Sequence, residues 1–102
     1  MMAEPPTVTV LIPTPLRSCT GGEARVIAEG GSVGDVLRAL DTAYPGLHER
    51  ICERDGEIRR FVNVFVNGRN VREDDGAATA LNPGDEVGII PAMAGGANVQ
   101  AL

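Results

Sequence analysis

The chain has no lysine and no tryptophan, and its 102 residues include one histidine (His48), two cysteines (Cys19 and Cys52) and three aromatic residues (Tyr44, Phe61 and Phe65). Each shortage excludes something. Two glycine pairs, Gly21-Gly22 and Gly30-Gly31, invite comparison with phosphate-binding loops, but no lysine follows either, so neither is a P-loop. A chain without lysine also has no side chain on which to build isopeptide-linked chains of itself. One histidine and two cysteines 33 positions apart match no metal-ligand spacing, which argues against a zinc site. Three aromatic rings leave little for stacking on nucleic-acid bases. The net charge of −5 and pI near 4.7 argue against a nucleic-acid partner as well. No apolar run approaches the roughly 18 residues of a membrane span. Met1 to Pro6 carries an acid and two prolines where a secretory signal would have a basic start and an apolar core. Two reduced thiols in a cytoplasmic protein is therefore the expectation for the cysteines.

What is present describes one modest globular domain. Hydrophobic residues make up 43% and charged residues 23% of the chain, and mean hydropathy is zero. Six of the nine arginines fall between Arg50 and Arg72, and a solvated surface accounts for them.

The apolar pattern sets the order of elements. Thr7 to Ile12 alternates β-branched and apolar residues and predicts a first strand, closed by Pro13. Pro13 to Gly22 is rich in breakers and predicts a loop. Glu23 to Glu29 alternates again, with Ala24, Val26 and Ala28 on one face, and predicts a second strand paired to the first as a hairpin. Ser32 is placed to cap a helix, with Asp35 as its capping-box partner. Val33, Val36, Leu37, Leu40, Tyr44 and Leu47 then form one apolar stripe, opposite Asp35, Arg38 and Asp41, and Pro45-Gly46 ends the helix near Tyr44. His48 and the stretch Glu49–Glu57 predict a polar connection, with Ile51 and Cys52 tucked back under the domain. Phe61 to Val66 is the densest run of β-formers and predicts a central strand. Asn67-Gly68 suits a type I′ turn, with Asn70 to Arg72 returning as a short strand. Glu73 to Gly76 predicts an exposed acidic turn, Ala77 to Leu81 a helical turn, and Asn82 to Asp85 another turn. Glu86 to Ile90 is the last strand. The sum is an α+β domain over residues 1–90 whose first and last strands can lie side by side in mid-sheet.

The last strand leads into Pro91-Ala92-Met93-Ala94-Gly95-Gly96, small residues that offer no acid, base or nucleophile. Six extended residues span at most roughly 20 Å. A chain end of this kind suits insertion into another protein's narrow channel, because glycine lets a foreign surface approach the backbone. The reactive group this implies is the backbone carboxylate of Gly96, exposed once Ala97-Asn98-Val99-Gln100-Ala101-Leu102 is removed.

Four segments carry a family resemblance: Ile12-Pro13-Thr14 with Leu16-Arg17 and Thr20-Gly21-Gly22; Arg60 to Asn67; Asn82 to Val87; and Ile89 to Gly96. Together they resemble the ThiS/MoaD family of ubiquitin-like sulfur carriers, and within it the CysO-like carriers that supply sulfur for cysteine synthesis. The resemblance implies a β-grasp fold: a mixed sheet of about five strands with one main helix on one face. It implies that the protein is a co-substrate and not an enzyme, with Gly96 adenylated and then carrying a thiocarboxylate. Gly95, Ala94, Met93 and Pro91 would be the tail that partner enzymes recognise. ATP and Mg would be used by a ubiquitin-activating-type adenylating enzyme or sulfurtransferase, with no cofactor held by the carrier. The acceptor would be a PLP-dependent cysteine synthase or a pathway-specific synthase, with molybdopterin, thiamin or a secondary metabolite as other destinations for the sulfur. Carriers of this family usually end at the diglycine. The extension therefore implies cleavage of the Gly96–Ala97 bond, by analogy through a JAMM-type metalloprotease. Two other readings remain open: a modifier conjugated through Gly96 to target lysines, and a β-grasp binding subunit with an idle tail.

Overall fold

A computed structural model describes residues 4–91 of the chain. Five strands form one mixed sheet: β1 (Thr7–Leu11), β2 (Arg25–Glu29), β3 (Val62–Val66), β4 (Arg69–Asn70) and β5 (Glu86–Pro91), in the spatial order β2-β1-β5-β3-β4. The first and last strands do lie side by side. β5 runs parallel to β1, with Val10 opposite Val87, and antiparallel to β3, with Val64 opposite Ile89. This is the ubiquitin-like β-grasp architecture.

One helix, α1 (Val33–Ala43), covers one face of the sheet. Its buried stripe of Val33, Val36, Leu37 and Leu40 meets the inward residues of the strands: Val8 and Val10, Val26 and Ala28, Val62 and Val64, Val87 and Ile89. Burying each such aliphatic side chain contributes about 1.5–3 kcal/mol, which is what holds helix to sheet. Ser32 caps α1, its hydroxyl oxygen accepting from the Asp35 N–H at 3.2 Å. The other half of the expected capping box does not form, because the Asp35 carboxylate is taken by the Arg38 guanidinium one turn on. Gly30 lets β2 pass close to this helix start. A Cβ there would sit 2.7 Å from the Val36 backbone nitrogen and 2.8 Å from its Cγ2.

Five expectations are corrected. Pro13 to Gly22 is not an open loop. Thr14–Thr20 forms a 3-10 helix, closed by Gly21 in the left-handed conformation and anchored by buried Leu16. Local side-chain bonds stabilise it: the Thr20 hydroxyl donates to the Arg17 or Glu23 carbonyl, and Arg17 Nε donates to the Ile12 carbonyl at 3.0 Å. The polar connection after α1 contains a second short helix, α2 (Leu47–Ile51). Pro45-Gly46 bends the chain, so Leu47 reaches the core from α2 and does not extend the α1 stripe, and His48 lies within α2. The Asp41 carboxylate accepts the Gly46 and His48 N–H groups at 3.0 and 3.1 Å, fastening the bend. The short return strand is only Arg69–Asn70, because Val71–Glu73 turns into a 3-10 helix that buries Val71. The helical turn placed at Ala77 to Leu81 falls earlier, at Gly76–Ala78. The second strand starts at Arg25, with Ala24 exposed ahead of it.

The Asn67-Gly68 turn has both residues at positive φ, +51° and +86°, as a type I′ hairpin requires. Asn67 also aligns β5. Its amide donates to Asp85 Oδ1 at 2.9 Å, and its side-chain oxygen accepts the Glu86 N–H at 3.0 Å. The second oxygen of Asp85 accepts the Asn82 N–H at 2.8 Å. This asparagine–aspartate set fixes where β5 enters the sheet, and therefore where it leaves.

Candidate functional site

β5 delivers the chain end. Pro91, its last residue, lies opposite Val62 and is partly exposed. Ala92, Met93, Ala94, Gly95, Gly96 and Ala97, on which the tail and processing expectations fall, lie outside the described residues. The described part of the site is thus the mount from which that tail departs. β5 buries Val87 and Ile89 and pairs with β1 only over Glu86–Gly88, so its exit point at Ile90 and Pro91 is tied to β3 alone.

The free edge of β3 next to this exit is covered by one side chain. β4 is too short to pair with Val62, and the Arg72 guanidinium takes its place. It donates to the Val62 carbonyl at 2.6 Å, the Arg59 carbonyl at 2.8 Å and the Arg60 carbonyl at 3.3 Å. Of these acceptors Val62 pairs with Pro91, and Arg59 and Arg60 belong to the turn that leads into it. Arg72 therefore holds the partner strand of the exit in place while blunting an open sheet edge.

The sheet face away from α1 was not anticipated in the sequence. Leu11, Gly88 and Phe65 sit across three adjacent strands in one row, with Ile90 two residues nearer the exit. Gly88 has no side chain to fill its place in that row. The result is a hollow of about 290 Å³ lined by Leu11, Phe65, Gly68, Glu86, Gly88 and Ile90. Ile90 is 54% exposed and Phe61 55%, and Arg60 lies over the Phe61 ring at 5.3 Å. Ile90 thus leaves exposed apolar surface on the wall of the hollow. The period-2 pattern held the clue: Leu11, Phe65 and Ile90 are apolar at positions that point away from the core.

The other residues singled out in the sequence lie apart from this site. Cys19 and Cys52 are both free thiols. Cys52 is 1% exposed, and burial raises its pKa from 9.0 to about 11 despite the nearby Arg38 and Arg59, so it stays protonated and unreactive at neutral pH. His48, Cys52, Asp41 and Arg59 line a polar hollow on the α2 side of the domain. Among the described residues no group of three or more histidine, cysteine or acidic side chains could hold a metal ion. No helix among them is long and apolar enough to cross a membrane. The arginines are mostly engaged: Arg59 with Glu53, Arg69 with Asp74, and Arg72 with backbone carbonyls.

A mixed five-stranded sheet with its last strand in the middle and one main helix packed on one face defines a ubiquitin-like β-grasp protein. The chain belongs to the ThiS family, whose model matches residues 10–96 and so ends at Gly96. It is 47% identical over 91 residues to the sulfur carrier protein CysO of Mycobacterium tuberculosis, covering 87% of this chain and 98% of that one. It is 50% identical over 70 residues to small archaeal modifier protein 3 of Haloferax volcanii, covering 69% of this chain and 75% of the other. The CysO chain in the crystal structure of the Amycolatopsis orientalis BexX/CysO complex superposes with a TM-score of 0.83 at 39% identity, covering 87% of this chain and 99% of that one.

Proposed function

We propose that the protein is a sulfur carrier whose working atom is the carboxyl carbon of Gly96. A carboxylate is a poor electrophile because its charge is shared between two oxygens. An adenylating partner would use ATP with Mg to convert it to an acyl adenylate, releasing pyrophosphate. Hydrosulfide supplied by a partner then attacks the acyl carbon, AMP leaves, and a thiocarboxylate remains. Gly95 and Gly96 keep the attacked carbonyl free of side chains. The open face, with Ile90, Phe61 and the hollow over Gly88, is where the activating enzyme docks while the tail enters its active site. Arg72 and the β5 pairings set the direction of entry. The carrier contributes no catalytic side chain.

A metalloprotease of the JAMM type exposes Gly96 by hydrolysing the Gly96–Ala97 bond. The loaded carrier then hands its sulfur to an acceptor enzyme, a PLP-dependent cysteine synthase in the reading favoured by the likeness to CysO. The observation that carries the proposal is that the family match spans residues 10–96, from within β1 to beyond β5, and stops at Gly96. Incubation of the chain ending at Gly96 with ATP, the activating enzyme and sulfide tests it. The intact mass should rise by about 16 Da, oxygen exchanged for sulfur at the activated acyl group. No gain with an active enzyme refutes the proposal.

The likeness to small archaeal modifier protein 3 supports a second reading, conjugation of Gly96 to lysines of other proteins. A tagged carrier would then appear on immunoblots as a ladder of heavier bands, where the carrier reading expects a single one.

A further inference from the structure

The most exposed large apolar side chain of the described residues is Ile27, at 66%. The tail exit does not explain it. Ile27 lies opposite Thr9, which lies opposite Glu86, at the far end of β5 from Pro91. Five residues of strand separate the two levels, about 16 Å along the sheet, and two strand spacings add about 10 Å across it.

Ile27 is the midpoint of β2, which is an edge strand. Pairing with β1 uses the even-numbered residues of this stretch: the Ile12 N–H donates to the Ala24 carbonyl and the Gly30 N–H to the Pro6 carbonyl. In an antiparallel ladder the alternate residues turn their backbone groups the other way. Arg25, Ile27 and Glu29 therefore present N–H and C=O groups to solvent along the edge, with no partner among the described residues. The same three residues put their side chains on the open face. Flat edges of this kind are usually guarded by charged side chains, prolines or bulges. Here the charges are of opposite sign and symmetrically placed about Ile27.

We propose that β2 pairs with β2 of a second copy of this chain, antiparallel and two-fold symmetric about Ile27. In that register Ile27 faces Ile27, Val26 faces Ala28, and Arg25 of each copy faces Glu29 of the other. All three outward residues fall in hydrogen-bonded positions, two bonds to each pair, which makes about six backbone bonds. Moving the register by two residues sets each Ile27 against a charged residue, and moving it by four sets Arg25 against Arg25 or Glu29 against Glu29. The two-fold register alone matches every charge with its opposite. Arg25 is free to make this contact, since its ion pair with Glu86 is loose at 3.9 Å. Glu29 has no ion-pair partner among the described residues. The product is a continuous ten-stranded sheet with both α1 helices on one side and both open faces on the other. The two β5 strands leave it at opposite ends, so each copy keeps its own exit accessible. Two five-residue edges bury less than the roughly 1,000 Å² of a stable interface, so the association is transient, with a dissociation constant of roughly 0.1–1 mM.

Charge exchange tests this on the full chain. Sedimentation velocity from about 10 μM to about 1 mM should show the wild-type mass rising towards the dimer at the top of the range. Arg25→Glu sets glutamate against glutamate twice, and Glu29→Arg sets arginine against arginine twice. Each alone should weaken association about tenfold or more. The double exchange Arg25→Glu with Glu29→Arg should restore it. Amide hydrogen exchange at high concentration should slow at Arg25, Ile27 and Glu29. A wild-type chain that stays monomeric at 1 mM overturns the proposal. So does a dimer indifferent to the single exchanges, or one that the double exchange fails to restore.

Discussion

Replacing Ile90 by threonine tests whether the open face beside the tail exit is where the activating enzyme docks. Threonine keeps the β-branched shape that β5 favours and removes apolar surface. Full burial of an isoleucine contributes about 1.5–3 kcal/mol. Ile90 is 54% exposed in the free protein, so a docking partner can recover about half of that, about 0.8–1.6 kcal/mol. Losing it should raise the dissociation constant for the adenylating enzyme about 4- to 14-fold. Folding stability should fall by no more than about 1.4 kcal/mol, because about half of the side chain is already packed in the free protein. Calorimetric titration of the chain ending at Gly96 into its adenylating enzyme reads the first quantity, and urea unfolding reads the second. Ile27→Thr is the control: the side chain is 66% exposed but lies at the other end of the sheet, so at micromolar concentration it should leave enzyme binding unchanged. Unchanged affinity for Ile90→Thr, or an equal loss for Ile27→Thr, would refute the placement of the docking face.

Three further outcomes follow from the packing. Gly30→Ala should destabilise the fold by about 1–3 kcal/mol in chemical denaturation, since the new Cβ meets backbone and side-chain atoms of Val36 at 2.7–2.8 Å with nowhere to go. Arg72→Ala should cost about 1–2 kcal/mol, and amide exchange should quicken first around Val62, whose carbonyl it caps. Cys52 predicts an alkaline limb. Its thiol ionises near pH 9 unfolded but near 11 folded, so the folded state holds its proton longer and stability falls as pH rises from 9 to 11. Two pKa units correspond to at most about 2–3 kcal/mol, and the chain has no lysine to confuse the titration. Cys52→Ala should flatten that limb in urea midpoints measured from pH 8 to 11, and an unchanged slope would count against it.

Where the local pattern was unambiguous, the elements could be read directly. Val33 to Leu40 kept a helical period, Phe61 to Val66 a strand composition, and Asn67-Gly68 a turn that only positive φ allows. The short elements were hidden by their chemistry. The 3-10 helix at Thr14–Thr20 holds a proline and three hydroxyl residues, of which Thr20 bonds locally, a composition shared with loops. α2 has only Leu47 and Ile51 on its buried side, too few to establish a period. Arg72 gave no warning at all: its role depends on a strand too short to pair with Val62, which is known only once the chain is folded. For the site, the small-residue run to Gly96 was legible because it is composition. The apolar open face proposed for docking was not, because Leu11, Phe65 and Ile90 come from three strands and meet only when β5 enters between β1 and β3.

The most direct test of Gly96 as the working residue is fragmentation mass spectrometry of the protein taken from its native cells. If Gly96 carries sulfur, C-terminal fragments should end at that residue and hold a single sulfur in place of a carboxylate oxygen. A population that transfers sulfur while every molecule still extends to Leu102, or whose sulfur maps to Cys19, would contradict it.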